Sequence, residues 1–313
     1  KTPYPRRKNL NKGLILQACL KIKKRKIALG FFIISVFYIL GSLVIGLICS
    51  RTTICSFSDG LGRTPLALLF VLLTFVPIWI GVWTAMRFIH RTPMKKLFGS
   101  SSRLDLQLLL KGFFAMLFLG IGVETLFQYV PSVRNYIYYE QNTVLLLSDW
   151  IKWLLPMVLF IFVQAAAEEL VFRGYLLQII WSRSASYLYA VIFPSLVFGL
   201  LHFDAQSYGV NAWYYCLNTF VVGCLLCFVT LHTGNIALAF GLHWGGNTVS
   251  LVFFGIHGNL DGMAFWLTYL DPKSATMGIA LFVSTVFMIF IYTLWARFYF
   301  SSFLPTIEFK EPK

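Results

Sequence analysis

The chain has 313 residues, of which 58% are hydrophobic and 12% charged, and its formal net charge is +14. Its mean hydropathy of +0.74 and its low charged fraction exclude an ordinary soluble domain. They predict an all-α, polytopic membrane bundle that forms one domain over residues 1–313. The excess of positive charge does not call for a nucleic-acid partner, since anionic lipid headgroups attract basic residues near a membrane by about 1 kcal/mol each.

Eight apolar runs are candidates for transmembrane helices, because about 20 apolar residues cross the hydrocarbon core. The sequence thus predicts about eight transmembrane helices, the fourth run being too long to lie wholly in the bilayer. The runs cover residues 27–49, 64–86, 109–130, 153–181, 187–203, 212–231, 235–256 and 277–298.

The distribution of lysine and arginine predicts the orientation, because cytoplasmic loops carry the excess of these residues. Residues 1–26 form a basic segment with ten of them, and six more surround the second loop. The loops that would then face outward contain few. An integral, multi-pass protein with both termini in the cytoplasm is therefore expected. The six around the second loop are Arg87, Arg91, Lys95, Lys96, Arg103 and Lys111.

The cysteines carry little predicted chemistry. Cys49 and Cys55 flank the first outward loop and are candidates for a disulfide if that compartment is oxidising. Cys216, Cys224 and Cys227 lie within one apolar helix, where a thiol usually packs as a small hydrophobic group.

Acidic residues inside the apolar runs are the first sign of a functional site, because a buried carboxylate is costly. Glu124, in the third run, is expected to be a structural hydrogen-bonding partner or to lie near the outer interface. Glu168 and Glu169 are adjacent in the fourth run. Glu169 lies four residues before Arg173 on one helical face, which favours an ion pair. Glu168 is rotated by about 100° from it, and we expect it to face the interior as a general base.

His202 is predicted to reach the level of Glu168. If Ser184, Ala185 and Ser186 turn the chain, residues 168 and 202 are equally far from the turn in an antiparallel hairpin. That distance is about 24 Å at about 1.5 Å per residue. Phe198 lies four residues before His202 and shares its helical face.

His243 and Asn247 form a second pair spaced by four residues in the seventh run. His243 lies about nine residues beyond the predicted cytoplasmic turn at 232–235, or about 13 Å, so the site is expected about half-way between the cytoplasmic surface and the membrane centre. Each residue alone also fits a packing role: an intramembrane histidine or asparagine often bonds between helices, and Gly245 and Gly246 often permit close helix packing.

Three motifs in this order resemble the CPBP intramembrane proteases, also called the Abi or CAAX-protease and bacteriocin-processing family. They are EExxxR (Glu168, Glu169, Arg173), FxxxH (Phe198, His202) and HxxxN (His243, Asn247). The resemblance covers residues 150–256 as the catalytic core. It implies an eight-helix fold and endopeptidase activity on a membrane-associated or lipidated protein or peptide, similar to that of the type II CAAX prenyl proteases, in a bacterial inner or plasma membrane.

The resemblance also implies residue roles. Glu168 would activate water with help from His202, while His243 and Asn247 would stabilise the oxyanion, with Glu169, Arg173 and Phe198 supporting them. Either no metal or one divalent zinc ion would take part. A zinc ion would be bound by Glu168, His202 and His243, although Asn is a poor zinc ligand and no compact HExxH is present.

Two other functions remain open at the level of sequence. A non-catalytic membrane scaffold or bacteriocin-immunity protein of the same family would keep the bundle without needing Glu168. A transporter would also bury carboxylates and histidines, but it is expected to contain broken helices in paired repeats.

Overall fold

The computed structural model describes residues 24–51, 62–183 and 187–299, and it is predominantly helical. The described residues contain twelve α-helices, three π-helical turns (Ala85–His90, Leu170–Leu177 and Val249–Phe253) and three short strands. The helices are α1 (Lys24–Ser50), α2 (Pro65–Leu73), α3 (Val76–Thr84), α4 (Leu106–Phe127), α5 (Pro131–Arg134), α6 (Leu147–Glu169), α7 (Gln178–Arg183), α8 (Tyr187–Leu200), α9 (Ala205–Tyr208), α10 (Ala212–Thr233), α11 (Ala237–Thr248) and α12 (Ala275–Tyr299).

All eight predicted apolar runs contain a helix, and the predicted all-α membrane bundle is confirmed. Six helical segments of the described chain are long and apolar enough to cross a membrane. The other two runs form α8 and α11, which are shorter. The six segments are Lys26–Ser50, Pro65–His90, Leu106–Phe127, Leu147–Arg183, Ala205–Thr233 and Ala275–Arg297.

The second span is broken, which its uniform hydropathy does not reveal. The break falls at Thr74 and Phe75, between α2 and α3. Pro77 lies in the first turn of α3, where its missing amide hydrogen costs no helical hydrogen bond. The fourth span is instead a single rod of 37 residues, Leu147–Arg183, in which α6, the π-helical turn Leu170–Leu177 and α7 follow one another.

A small sheet joins the start of α6 to the end of α11. It consists of β1 (Tyr139–Gln141), β2 (Phe254–Ile256) and β3 (Trp266–Thr268). The central strand β3 is antiparallel to β1 and parallel to β2. No strand was predicted, since three residues show no period. β1 and β3 lie in predicted loops, whereas β2 replaces the last three residues of the seventh predicted helical run, 235–256. The sheet fixes the spacing between the two helices that bring the site together.

Close packing between α4 and α11 depends on glycine. A Cβ on Gly112 would come within 2.7 Å of the Leu238 carbonyl oxygen, and a Cβ on Gly245 within 2.6 Å of the Phe113 carbonyl oxygen. A Cβ on Gly241 would collide with the Leu109 carbonyl oxygen. These glycines let the backbones approach as small residues do in membranes. Gly245 is therefore a packing residue.

Candidate active site

The two glutamates lie at the end of α6, where the α-helix changes to a π-helical turn. Glu168 and Glu169 are the last residues of α6, and the π-helical turn Leu170–Leu177 follows directly. Such π-helical insertions often occur at functional sites. Glu168 is 8% exposed and Glu169 is fully buried. Two carboxylates are thus held side by side inside the protein.

Glu169 forms the expected pair with Arg173. The Arg173 Nη1 donates to Glu169 Oε1 at 2.7 Å, and both side chains are buried. The guanidinium carbon also lies 4.8 Å from the centroid of the Phe198 ring, where the face of the ring attracts a cation. The charge of Glu169 is therefore balanced by Arg173, and Phe198 of α8 packs over the guanidinium group.

His243 contacts both glutamates, an arrangement that sequence spacing does not show. Its Nδ1 forms a hydrogen bond of 2.8 Å with Glu169 Oε1, the same oxygen that Arg173 binds. An ionised carboxylate can only accept, so Nδ1 carries the hydrogen. Its Nε2 lies 3.3 Å from Glu168 Oε2, yet this oxygen has no hydrogen-bond partner in the described structure. Glu169 also keeps one oxygen, Oε2, without a hydrogen-bond partner, but Glu169 is paired with Arg173. Glu168 is therefore the carboxylate that has no arginine or lysine partner and can accept a proton from water.

His202 approaches the same cluster from the end of α8. Its Nδ1 lies 2.8 Å from the Phe198 carbonyl oxygen. Because a carbonyl only accepts, Nδ1 carries the hydrogen and Nε2 is left as the basic nitrogen. No hydrogen bond between His202 and Glu168 is found among the described residues, and the predicted turn at 184–186 lies outside them. The predicted pairing of Glu168 with His202 stays a prediction.

The Phe198 ring contacts both histidines. Its centroid lies 4.6 Å from the His202 ring and 6.0 Å from the His243 ring, edge-on to both. The side chain is 3% exposed. Phe198 thus gathers His202, His243 and Arg173 around one ring, which fits the supporting role predicted for it.

Asn247 is held by a residue that sequence reasoning did not identify as its partner. Its Nδ2 donates to Gln164 Oε1 at 2.8 Å. Gln164 is 6% exposed and lies four residues before Glu168, on the same face of α6. An amide nitrogen has two hydrogens, so Asn247 retains one that can be donated to a substrate.

The alternative zinc site is not assembled. No group of three or more His, Cys, Asp or Glu side chains suited to a metal ion occurs in residues 24–51, 62–183 and 187–299. Glu168 and His243 are neighbours, but no contact joins either of them to His202 in the described part of the chain. Three protein ligands are usual for catalytic zinc. This arrangement does not fit zinc bound by Glu168, His202 and His243, and no step is assigned to a metal.

The segment that follows His202 has a structural explanation. The Asp204 side chain accepts a hydrogen bond of 2.9 Å from the Ser207 amide and thereby caps α9. Partial burial raises the pKa of Asp204, but hydrogen bonds from Ser207 and the Gln206 amide, together with the charge of Lys273, outweigh this and hold the pKa below its usual value. Asp204 therefore remains ionised and ends the turn beside His202.

Residues outside the three motifs take the expected structural roles. The Tyr139 hydroxyl donates to Glu124 Oε2 at 3.1 Å, so Glu124 is a hydrogen-bonding partner between α4 and β1. Cys216, Cys224 and Cys227 are free thiols. Cys49 is disulfide-bonded, whereas Cys55 lies outside the described residues, so the pairing of these two remains a prediction.

Comparison with known proteins gives two matches. Residues 150–249 match the family described as type II CAAX prenyl endopeptidase Rce1-like, and all the motif residues lie within this range. The chain is also 28% identical over 196 residues to the uncharacterized protein YyaK of Bacillus subtilis strain 168. That match covers 61% of this chain and 64% of the relative. The resemblance drawn from the three motifs is confirmed: over residues 150–249 the chain is similar to the Rce1-like type II CAAX prenyl endopeptidases.

Proposed function

We propose that this chain is an intramembrane endopeptidase that hydrolyses a peptide bond in a membrane-associated or lipidated protein or peptide. One observation carries the proposal: Glu169 is paired with Arg173, whereas the buried Glu168 has no such cation, keeps an oxygen without a hydrogen-bond partner and lies next to a histidine whose other nitrogen is bound to Glu169. An unpaired buried carboxylate is costly, and its use as a general base accounts for that cost. The match to an endopeptidase family supports the same activity.

Each residue then has a defined task. Glu168 takes a proton from water, assisted by the basic Nε2 of His202. The water oxygen attacks the carbonyl carbon, and the remaining hydrogen of the Asn247 amide donates to the oxyanion. His243 adds a second donor when its Nε2 is protonated. Collapse of the intermediate breaks the C–N bond, and Glu168 returns the proton to the leaving amine. Donors fixed in a site with little water stabilise such charge effectively.

The proposed cellular setting is a bacterial inner or plasma membrane with both termini in the cytoplasm. The asymmetry of lysine and arginine in the sequence supports this orientation, and the match to a Bacillus subtilis protein supports a bacterial source. Anionic headgroups would bind the basic loops, so the reconstituted protein should be assayed in vesicles that contain anionic lipid.

The test is cleavage of a peptide panel by the purified protein in such vesicles. The panel contains a farnesylated CAAX peptide, its unmodified counterpart and a plain transmembrane peptide, each assayed with and without a zinc chelator. We expect at least one peptide to be cleaved, and we expect the chelator to leave its rate of cleavage unchanged. Absence of cleavage by folded protein would favour the non-catalytic scaffold or immunity role, and loss of cleavage with chelator would establish a metal.

Gln164→Met is expected to reduce turnover, because it removes the hydrogen bond that orients the Asn247 amide. The loss of one neutral hydrogen bond costs about 0.5–1.5 kcal/mol, so kcat should fall roughly two- to tenfold with little change in KM. Gln178→Met is the matched control, since Gln178 is also buried in the rod Leu147–Arg183 but donates to the Leu97 carbonyl oxygen instead. Equal kcat values for the two variants in the peptide assay would contradict the role of Gln164.

A further inference from the structure

Tyr215, outside the three motifs, lies against the catalytic cluster. It belongs to α10, and its ring meets the His202 ring edge-on at a centroid distance of 6.0 Å. Its other contact is the ring of Tyr208, stacked at 4.8 Å with 15° between the planes. Two aromatic neighbours therefore limit the rotation of the Tyr215 ring and fix the direction of its hydroxyl.

The Tyr215 hydroxyl is available beside the cluster. Tyr215 is half-buried, and its ring contact with His202 places it next to a residue of the proposed mechanism. In the described structure the Tyr215 hydroxyl makes no hydrogen bond. Two other tyrosines of the described chain use their hydroxyls in hydrogen bonds: the Tyr139 hydroxyl donates to Glu124, and the Tyr208 hydroxyl accepts from Asn259 Nδ2 at 3.3 Å.

Only one motif donor is available to the oxyanion without a change of protonation state, the remaining amide hydrogen of Asn247, because His243 adds a donor only when its Nε2 is protonated. His243 directs both ring nitrogens toward glutamate oxygens, and Asn247 uses one of its two amide hydrogens on Gln164. An oxyanion hole usually presents at least two donors to the developing negative charge. A neutral phenol is a donor that needs no change of protonation state to act.

We propose that Tyr215 is a further catalytic residue, whose hydroxyl donates a hydrogen bond to the substrate carbonyl oxygen as that oxygen becomes negative. This inference rests on the proposed endopeptidase function. In the addition step the water oxygen bonds to the carbonyl carbon, the carbonyl π electrons move to its oxygen, and the water proton passes to Glu168. Tyr215 keeps its proton throughout and withdraws its hydrogen bond only when the carbonyl re-forms.

The test compares Tyr215→Phe with Tyr208→Phe in the peptide assay. Tyr215→Phe removes only the hydroxyl and retains the ring contacts with His202 and Tyr208. The loss of one oxyanion donor lowers kcat by about 10²–10³-fold, and we expect at least tenfold with KM nearly unchanged. Tyr208→Phe removes a hydroxyl from the adjacent stacked ring and should retain kcat. Thermal unfolding in detergent checks that both variants fold.

The outcomes separate this inference from the proposed function. If wild type cleaves and Tyr215→Phe cleaves equally fast, Tyr215 is not catalytic while the endopeptidase assignment stands. A rise in KM at constant kcat in Tyr215→Phe would also overturn the catalytic role of Tyr215, because it indicates a contact made equally in the ground state and the transition state. If folded wild type cleaves no peptide, the endopeptidase function and the role of Tyr215 fail together.

Discussion

Glu168→Gln is expected to abolish cleavage without unfolding the protein. The amide has nearly the same shape as the carboxylate but cannot take a proton from water, and general base catalysis contributes about 10²–10⁴-fold. We therefore expect kcat to fall by at least roughly a hundredfold. The measurement is the initial rate of peptide cleavage in vesicles, at substrate concentrations that separate kcat from KM.

Glu124→Gln is the matched control for this variant. Glu124 is also a carboxylate in a membrane-spanning helix, but its oxygen accepts a hydrogen bond from the Tyr139 hydroxyl. A glutamine oxygen can accept that bond equally well, so the variant should cleave at the wild-type rate. Retention of activity by Glu168→Gln would remove Glu168 from the mechanism, whereas equal loss in both variants would indicate a general effect on the bundle.

Arg173→Met is expected to cause the largest loss of stability. It leaves the fully buried Glu169 without its cation, and breaking a buried ion pair by removing one partner costs about 3–5 kcal/mol. Equilibrium unfolding in mixed detergent micelles measures this change. Arg134→Met serves as the control, because Arg134 is exposed and its replacement should stay within about 0.5 kcal/mol of wild type.

The double variant Glu169→Gln with Arg173→Met tests the cause of that loss. It removes both charges, while the glutamine oxygen can still accept from His243 Nδ1. Replacement of a whole buried ion pair by neutral groups is often tolerated, so the double variant should be more stable than Arg173→Met alone. If the double variant is less stable than the single one, the unpaired charge is not what destabilises Arg173→Met.

The membrane spans and the Glu169–Arg173 pair could be predicted because both depend on short-range periodicity. Hydropathy identifies an apolar helix in any context, and residues four apart share one helical face. The break at Thr74 and Phe75 was not predicted, since these residues continue the apolar run. Nor was the sheet, whose strands have three residues each.

The contacts that complete the site depend on tertiary packing and could not be read from spacing. His243 reaches Glu169 because glycines such as Gly241 bring α4 and α11 together and the sheet fixes the end of α11. The Gln164–Asn247 bond joins residues that are 83 positions apart. Tyr215 is one of 15 tyrosines, and no local pattern distinguishes it from the others.

Hydrolysis of the peptide panel in water enriched in heavy oxygen tests the central claim most directly. Mass spectrometry of the products shows whether the heavy oxygen enters a new carboxylate at one defined bond. The account predicts such incorporation by wild type and its loss in Glu168→Gln, with both proteins folded. Products formed equally by the two proteins, or no products from wild type, would contradict it.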